Sequence, residues 1–518
     1  MGLICKLLTK SFQILNINAM KRSILTLFNL VIVLYFGWSQ QASDALRYSS
    51  TQYGGTARSI GVGNAMSVFG GDFGTISINP AGLATYRSSD LSLSMGYLKT
   101  STNAQLLSNN NVRWNEPASK VTLNNIGLVL SSKPFGNSKW KTGNFAIGLN
   151  KLADYKRTIY YQGVSPGSLV TVFKNDLIIG KFDEYGSALA YDAEAIYDST
   201  IAGKKYYFSD FDGKEGVGVN RLQSVATTGR TSEMVISYAG NFDEKLNVGV
   251  TVGVPFIKYS STNDYNENDP NSDVKFFNSL KYIDRFTADG TGVNLKVGAI
   301  YRPTQMLRFG LAIHTPTAIS FSEKHTVDFN YNYTTNSGKT FSNDAYSPEQ
   351  VSKYTINTPW KSIGSVGVLI GKSGFVTAEA EYINYSSAKV RFETPDSIGA
   401  TRIQELKEYE NKVNTKIKDS YRSTLNLRFG GELVLDIFRV RAGVNLLGNA
   451  DKAGDAYRMA YTAGVGVRGE STYFDIAYRN EKQTFNYQPY LAAEPARQPN
   501  IDVSSIQHNF VATLGFRF

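Results

Sequence analysis

The sequence predicts an all-β fold: a 14-stranded antiparallel transmembrane β-barrel with an N-terminal plug, or hatch. Three observations carry this prediction. Segments in which apolar residues alternate with small or polar ones recur from residue 90 to the C-terminus. The connections between these segments alternate between short and long. The last segment closes the chain with a phenylalanine. Alternating strands joined by short turns on one side and long loops on the other are typical of outer-membrane barrels.

The composition fits this fold class and argues against two others. The 518 residues include 13% aromatic residues, with 32 Tyr and 29 Phe, and the mean hydropathy is −0.24. Such a polar average disfavours a bundle of membrane helices, whereas aromatic girdles and polar loops both occur in barrels. The net charge of +10 falls to +6 when the four basic residues of positions 1–39 are removed (10 − 4). The remaining basic residues are scattered, so the chain shows no nucleic-acid footprint.

Residues 1–39 are predicted to be an N-terminal extension followed by a signal peptide. An apolar run from Ile24 to Trp38 follows Lys21 and Arg22, which is the arrangement of a secretory signal. Met20 is a plausible start, and we expect cleavage within 39–41. The single cysteine, Cys5, lies in the removed part, so the mature chain is expected to contain no disulfide. We therefore expect export to the outer membrane of a Gram-negative bacterium.

Residues 40–88 are predicted to form the hatch, and residues 89–518 the barrel. The stretch Gly54–Gly82 is rich in glycine and lacks sustained alternation. The first strand pattern begins directly after it, with Leu91, Leu93 and Met95 on one face. A segment in this place must lie inside or beneath the barrel.

Fourteen alternating segments follow, the clearest with Val248, Val250 and Val252 between Asn247, Gly249 and Thr251. The predicted strands are 90–98, 121–132, 142–151, 232–240, 246–258, 290–302, 306–315, 362–370, 374–383, 424–434, 438–446, 458–468, 473–481 and 505–518.

The connections between these strands predict their direction. Short turns fall at 133–141, 241–245, 303–305, 371–373, 436–437 and 469–472, and polar loops at 99–120, 156–231, 259–289, 316–361, 384–423, 447–457 and 482–504. An even number of strands returns the C-terminus to the side of the short turns. A soluble β-sandwich also has alternating strands, but it has no reason to place every second connection in a long loop.

The C-terminal strand has one apolar face that includes Phe510, Leu514, Phe516 and Phe518. The opposite face carries small or polar residues such as Thr513 and Gly515. A terminal phenylalanine on such a strand resembles the signal by which the barrel-assembly machinery recognises its substrates. We expect these four residues to form the assembly signal.

Asn79, Pro80, Ala81 and Gly82 stand near the end of the hatch segment and read locally as a turn, because proline biases the residue before it away from helix. In this position the segment resembles the hatch of the FadL family of outer-membrane transporters, which carries an Asn-Pro-Ala motif. Gly292–Pro303 and Leu307–Pro316 also resemble paired central strands of that family. The resemblance implies a 14-stranded barrel that transports hydrophobic compounds such as long-chain fatty acids. It also implies a lateral exit beside a kinked third strand.

The third strand loses its alternation near Lys151–Asp154, where a kink is possible, but an ordinary strand end is the favoured interpretation. Glu379 and Glu381 share one strand face and should line the lumen, where we expect them to pair with arginines such as Arg439 and Arg441. The three histidines have no metal-binding spacing. The sequence thus predicts neither catalysis nor a metal or cofactor site.

Two functions from different classes remain open. The first is passive transport of a hydrophobic small molecule through a lumen pocket and a lateral exit, with outer-membrane lipids and the barrel-assembly machinery as further partners. The second is a role as a partner or anchor in protein secretion, known for some relatives of the family; an adhesive surface protein is a weaker third option. An apolar pocket favours transport, whereas a polar, filled lumen with ordered loops favours secretion.

Overall fold

The structure is a computed structural model that describes residues 37–108, 112–133, 138–394 and 399–518. The predicted extension and signal peptide lie outside the described residues, apart from positions 37–39. The first helix, α1, begins at Gly37 and ends at Ser49.

Strands dominate the described chain. Their bounds are β1 Asp90–Leu106, β2 Arg113–Ser132, β3 Trp140–Asp154, β4 Arg157–Pro166, β5 Tyr197–Ile201, β6 Lys204–Phe208, β7 Gly218–Phe242, β8 Leu246–Asn268, β9 Phe277–Tyr301, β10 Leu307–His314, β11 Ala318–Thr334, β12 Thr340–Tyr346, β13 Gln350–Asn357, β14 Lys361–Ile370, β15 Gly374–Asn384, β16 Lys389–Phe392, β17 Ser423–Leu435, β18 Phe438–Gly448, β19 Tyr457–Arg468, β20 Thr472–Tyr487 and β21 Ile501–Arg517. The other helices are α2 Ala57–Gly61, α3 Leu169–Ile178, α4 Ser187–Asp192 and α5 Ala400–Ser420, with 3₁₀ turns at Phe73–Ser77, Pro80–Thr85, Tyr385–Ser387 and Pro495–Arg497.

The strands close into a single antiparallel barrel of 14 wall strands, as predicted. Three wall strands consist of two segments each, β3 with β4, β10 with β11, and β15 with β16, and a fourth consists of three segments, β12, β13 and β14. Strand β21 pairs with β20 on one side and with β1 on the other, from Asp90 opposite Arg517 to Leu106 opposite Ile501. This last pairing leaves no free edge at the seam, because every backbone group there has a partner strand.

The two faces of the wall differ as a membrane requires. Along β1, Leu91 and Met95 point outward and are 41% and 46% exposed, whereas Ser92 and Ser94 face the lumen and are buried. The same alternation holds along β8, where Val250, Val252 and Phe256 face outward. An outer surface of this kind is suited to lipid. It rules out the soluble sandwich, whose apolar faces pack against each other. Among the described residues, no helix is long and apolar enough to cross a membrane.

The connections follow the predicted alternation. The turn between β7 and β8 spans 243–245, with Asp243 and Glu244 at positive φ, and a two-residue turn with Asp436 at φ 54° joins β17 to β18. The long connections all lie at the opposite end. Several strands continue far beyond the predicted bounds on this side: β7 and β9 have 25 residues each, whereas a bilayer needs about 9–11 residues per tilted strand. The excess extends the wall, on the side of the long connections, beyond the length that a membrane requires.

Two of the long connections predicted as polar loops contain helices, which the sequence analysis did not predict. The 167–217 connection contains α3, α4 and the β5–β6 hairpin. These elements pack against the ends of β8, β9 and β11 that lie away from the short turns, and together they form a hydrophobic core of their own. The connection after β16 holds α5, whose Tyr409, Val413 and Ile417 are buried at a spacing of four residues. This spacing places all three on one helix face.

The topology predicts which loops can be reached from outside the cell. Gly338 lies in the β11–β12 hairpin at the top, and Gly371 in the β14–β15 turn at the bottom. Both have positive φ and neither has a neighbouring atom where a side chain would begin, so both turns should accept an inserted epitope. An epitope after Gly338 should bind antibody on intact cells, and one after Gly371 only after permeabilisation. The reverse labelling would contradict the assigned orientation.

Candidate functional site

The segment between α1 and β1 crosses the lumen from one wall to the opposite wall. Helix α2 contacts β18, β19, β20 and β21, whereas the Pro80–Thr85 turn contacts β3, β7, β8 and β9. Nearly every residue from Tyr53 to Ala84 is buried. These contacts fill the lower half of the barrel, so the geometry of the segment is that of a plug.

Asn79 begins the Pro80–Thr85 turn as its N-cap. Its side-chain oxygen accepts a hydrogen bond from the Ala81 amide at 3.1 Å, and the Gly82 amide donates to the Asn79 carbonyl at 3.0 Å. Pro80 occupies the first position of the turn, where its missing N–H costs nothing. The Asn79 side-chain nitrogen, Nδ2, lies 3.4 Å from the Ala299 carbonyl oxygen of the wall. The motif thus combines a tight turn with a contact to the barrel.

Two wall glycines allow this turn to approach. A Cβ atom added to Gly298 would lie 2.0 Å from the Asn79 side-chain oxygen, and one added to Gly249 would lie 2.6 Å from the Pro80 carbonyl carbon. Neither contact leaves room for a side chain. Glycine at these two wall positions is therefore a requirement of hatch docking.

Charged side chains bind the hatch to the wall. Glu379 and Glu381 face the lumen, are buried and pair with an arginine, as predicted, but this arginine is neither of the two named from the sequence. Both pair with Arg428, whose Nη1 lies 2.8 Å from Glu379 Oε1. Tyr53 of the hatch donates to Glu381 at 3.0 Å, and Ser67 donates to Glu379.

The two arginines named from the sequence have other partners. Arg441 Nη1 donates to Asp475 at 2.7 Å and its Nε donates to Glu432, which also binds Arg58 of the hatch. Arg439 lies at the β17–β18 turn, where it donates to the Phe438 carbonyl at 2.8 Å. Antiparallel register explains the difference, because Glu379 lies directly opposite Arg428 and the β18 arginines are one strand further away. These acids have paired, structural surroundings rather than a catalytic geometry.

The third wall strand does not end at Asp154, so the favoured interpretation of an ordinary strand end was wrong. Strand β3 pairs with β2 only from Asn125 to Ser132 of β2, and its register with β7 shifts between Lys151 and Ala153. After a break at 155–156 the chain continues as β4, which pairs with β7 alone. The part of β2 before Asn125 pairs only with β1. A gap in the wall therefore lies between β2 and the bend.

Strand β4 has moved inward past β2. The Thr100 hydroxyl on the lumen face of β1 donates to the Lys156 carbonyl at 3.1 Å, and Trp114 of β2 donates to the Gln162 carbonyl at 3.3 Å. Ile159 and Tyr161 of β4 pack in one buried cluster with Ala104 and Leu106, which also face the lumen from β1. Because β4 runs inward, only β2 contributes backbone along the edge of the gap.

Side chains bridge the gap where backbone bonds are missing. Lys120 of β2 reaches across to Asp154 at 3.0 Å and to the Gly229 carbonyl at 2.9 Å, and Lys151 donates to Thr122 at 3.1 Å. Gly229 has φ +126°, and a Cβ there would lie 2.1 Å from the Lys258 carbonyl oxygen. The bend thus depends on a glycine in the neighbouring strand. These few side-chain contacts stand in place of the ladder of backbone bonds that joins the strands elsewhere.

A cavity of about 380 Å³ lies above the hatch and next to the bend. Its lining includes Ala153–Arg157 of the bend, Gln52 and Tyr53 of the hatch, and Arg428 of the wall. Six basic side chains but only two acidic ones line it, together with many amides and hydroxyls. Leu46, Tyr155 and Tyr259 give it an apolar end next to the bend. The pocket is therefore amphiphilic and mainly polar rather than apolar.

Helix α1 covers the top of this cavity. Tyr48 stacks on Phe321 with ring centroids 4.5 Å apart, and the Arg47 guanidinium lies 4.2 Å from the centre of the Tyr259 ring. Arg47 also pairs with Asp44 one turn earlier. Nothing in the sequence analysis pointed to this helix, because it begins inside the region taken for a signal peptide and its cleavage site.

The C-terminal strand has the faces expected from its alternation. Phe510, Leu514 and Phe516 point outward and are 44–46% exposed, and Phe518 is 68% exposed. The Phe518 and Ser89 backbones exchange two hydrogen bonds of 3.0 and 3.1 Å, which join the two ends of the barrel wall.

Loss of this terminal face should prevent assembly. Changing Phe516 and Phe518 to Asp places two charges on the lipid-facing rim, where each charge costs about 0–1 kcal/mol, and it removes the apolar end of the strand. We expect the variant to be degraded rather than inserted, measured as loss of the heat-modifiable form in outer-membrane fractions. Changing Arg517 to Lys, beside them but of unchanged charge, should have no effect. Normal insertion of the Asp variant would show that these residues carry no assembly signal.

The fold has known counterparts, although no protein-family model and no curated protein matches the sequence. A FadL homologue of Pseudomonas aeruginosa aligns with 90% of this chain and 99% of its own, at 14% identity and a TM-score of 0.52. The toluene transporters TodX of Pseudomonas putida and TbuX of Ralstonia pickettii cover the same shares at 11% and 14% identity, with TM-scores of 0.49 and 0.48. The alignment with the FadL homologue confirms the predicted resemblance at the level of the fold.

Proposed function

We propose that this protein is an outer-membrane transport protein of the FadL type that moves hydrophobic small molecules passively into the membrane. The single observation that carries the proposal is the inward bend of the third wall strand. It opens the wall beside the cavity, and the hatch blocks the direct path below. A molecule in that cavity therefore has its shortest way out sideways, through the gap between β2 and β4.

The cavity lining favours amphiphiles within this class. A long-chain fatty acid has a carboxylate that suits the basic and amide-rich part, and a tail that suits the apolar end at Tyr155 and Tyr259. A pure hydrocarbon would leave the polar groups without hydrogen-bond partners, which is unfavourable. In this proposal residues 40–88 are the hatch, residues 89–518 are the barrel, and Asn79, Pro80, Ala81 and Gly82 fix the hatch in place.

A role in protein secretion is the second candidate function, and one feature of the cavity and one feature of the loops favour it. The lumen is mainly polar, and the extracellular loops have a hydrophobic core of their own around Phe173 and Phe329. Both features suit a barrel that presents or anchors proteins at the surface during secretion.

A deletion strain distinguishes the two functions. If transport is the function, uptake of a fluorescent long-chain fatty acid should fall on deletion and return when the gene is restored, while the profile of secreted proteins stays unchanged. Lipid bound after gentle purification, identified by mass spectrometry, would give the substrate. Normal uptake together with loss of secreted proteins would replace the transport proposal with the secretion role.

A further inference from the structure

Two helices from distant parts of the chain cover the extracellular mouth of the lumen. Helices α1 and α5 pack against each other. Ala45 and Tyr48 of α1 share one buried cluster with Val413 and Ile417 of α5 and with lumen-facing residues of the wall. The cavity lies directly beneath, since α1 residues next to this cluster line it. Helix α1 therefore contacts both the cavity and α5.

Helix α5 is attached in one way along its length and in another at its C-terminal end. Along its length, side chains dock it to β16: Asn414 bonds both the amide and the carbonyl of Val390 at 2.9 Å, and Glu410 accepts from the Phe392 amide at 3.2 Å. At its C-terminal end the backbone itself is bound, since the Lys452 amide donates to the Ser420 carbonyl at 3.0 Å. One end is thus tied and the rest is held by contacts that can be released together.

Helix α5 can keep its shape when it leaves the wall. It has 21 residues, more than the 12–15 below which isolated helices are marginal. Contacts within the helix support it, including Arg402 with Glu405 and a hydrogen bond of 3.2 Å from Gln404 to Glu408. Its outer face is charged and exposed. These features suit a rigid element that swings rather than one that unfolds.

We infer that α5 is a lid that swings about its C-terminal end, near Ser420, and controls access to the cavity from outside the cell. The inference rests on the proposed transport function, but the closure of the cavity by α5 can be measured without any substrate. Release of the apolar face of α5 removes the packing that holds α1 over the cavity, and so opens the mouth.

The first test measures access to the cavity. The sole cysteine, Cys5, precedes the predicted cleavage site, so a cysteine at Ser505, which lines the cavity, can be labelled selectively. On intact cells, a membrane-impermeant maleimide should label it several-fold faster when Tyr409 and Val413 are both changed to Ala. Changing the exposed Lys407 and Lys416 to Ala is the matched control and should leave the rate unchanged. Equal rates in a release variant that is correctly inserted and heat-modifiable would overturn the lid.

The second test locks the lid. Asn414→Cys with Val390→Cys, in a chain that is otherwise free of cysteine, should form a disulfide that holds α5 against β16. Uptake of a fluorescent long-chain fatty acid should then fall on oxidation and recover with a reductant, whereas Asn414→Cys alone should show neither change. Unchanged uptake in the oxidised form, with the crosslink verified, would also overturn the lid. If labelling at Ser505 depends on α5 but no form of the protein takes up the probe, the lid stands and the transport function fails.

Discussion

A covalent tether across the wall gap should lower uptake of a fluorescent long-chain fatty acid to the level of cells that lack the protein. Lys120 and Asp154 face each other across the gap at 3.0 Å between charged atoms. Changing both to Cys and joining them with a short bis-maleimide would fix the two edges together. The lateral path would be closed while the hatch and the cavity stay intact, so a substrate that leaves sideways would be trapped.

The matched control lies on the neighbouring strand pair. Lys99 and Ser119 are direct partners in the β1–β2 ladder, and both point outward. The same reagent between cysteines at these positions joins strands that are already joined, so uptake should not change. Each single cysteine treated with the reagent controls for bulk at the gap. If the Lys120–Asp154 tether forms and uptake continues at its normal rate, substrate leaves the barrel by another path.

The wall could be predicted from the sequence because its signal is local. Each membrane-facing residue must be apolar and each lumen-facing residue small or polar, so alternation marks every strand. Ser92 and Glu379, for example, face inward from positions that the alternation assigns. The parts of β7, β8 and β9 above the membrane were missed. There, both faces contact water or protein, and lipid no longer imposes a pattern.

The features of the candidate site depend on contacts between residues that are distant in the sequence, and the sequence alone does not predict such contacts. The partner of Glu379 follows from strand register, which brings Arg428 opposite it. The bend after Lys151 needs the freedom of Gly229 in another strand and the packing of β4 on β1. The available signal was the resumption of alternation in Ile159 and Tyr161, which argues against a strand end. For α5, the four-residue spacing of Tyr409, Val413 and Ile417 was a readable helix signal.

Adding one methyl group to the wall opposite the hatch should loosen the hatch without harming the barrel. A Cβ at Gly298 would lie 2.0 Å from the Asn79 side-chain oxygen, too close for any small adjustment. Gly298→Ala therefore forces the turn away from the wall. Overpacking of this kind costs about 1–3 kcal/mol, and the strain falls on the hatch because the strand ladder continues on both sides of Gly298. Asn79→Ala with Pro80→Gly should have the same consequence from the opposite side.

Ion conductance across planar bilayers measures this loosening directly, since a displaced hatch opens a water path through the lumen. We expect higher and noisier conductance for Gly298→Ala, with normal amounts of heat-modifiable barrel. Gly364→Ala is the control, because no atom lies within 4 Å of a Cβ at that wall position. If Gly298→Ala conducts no better than Gly364→Ala, the Asn79 turn does not hold the hatch closed. In that event the close packing of Gly298 against Asn79 serves barrel stability alone, and the amount of folded barrel should fall instead.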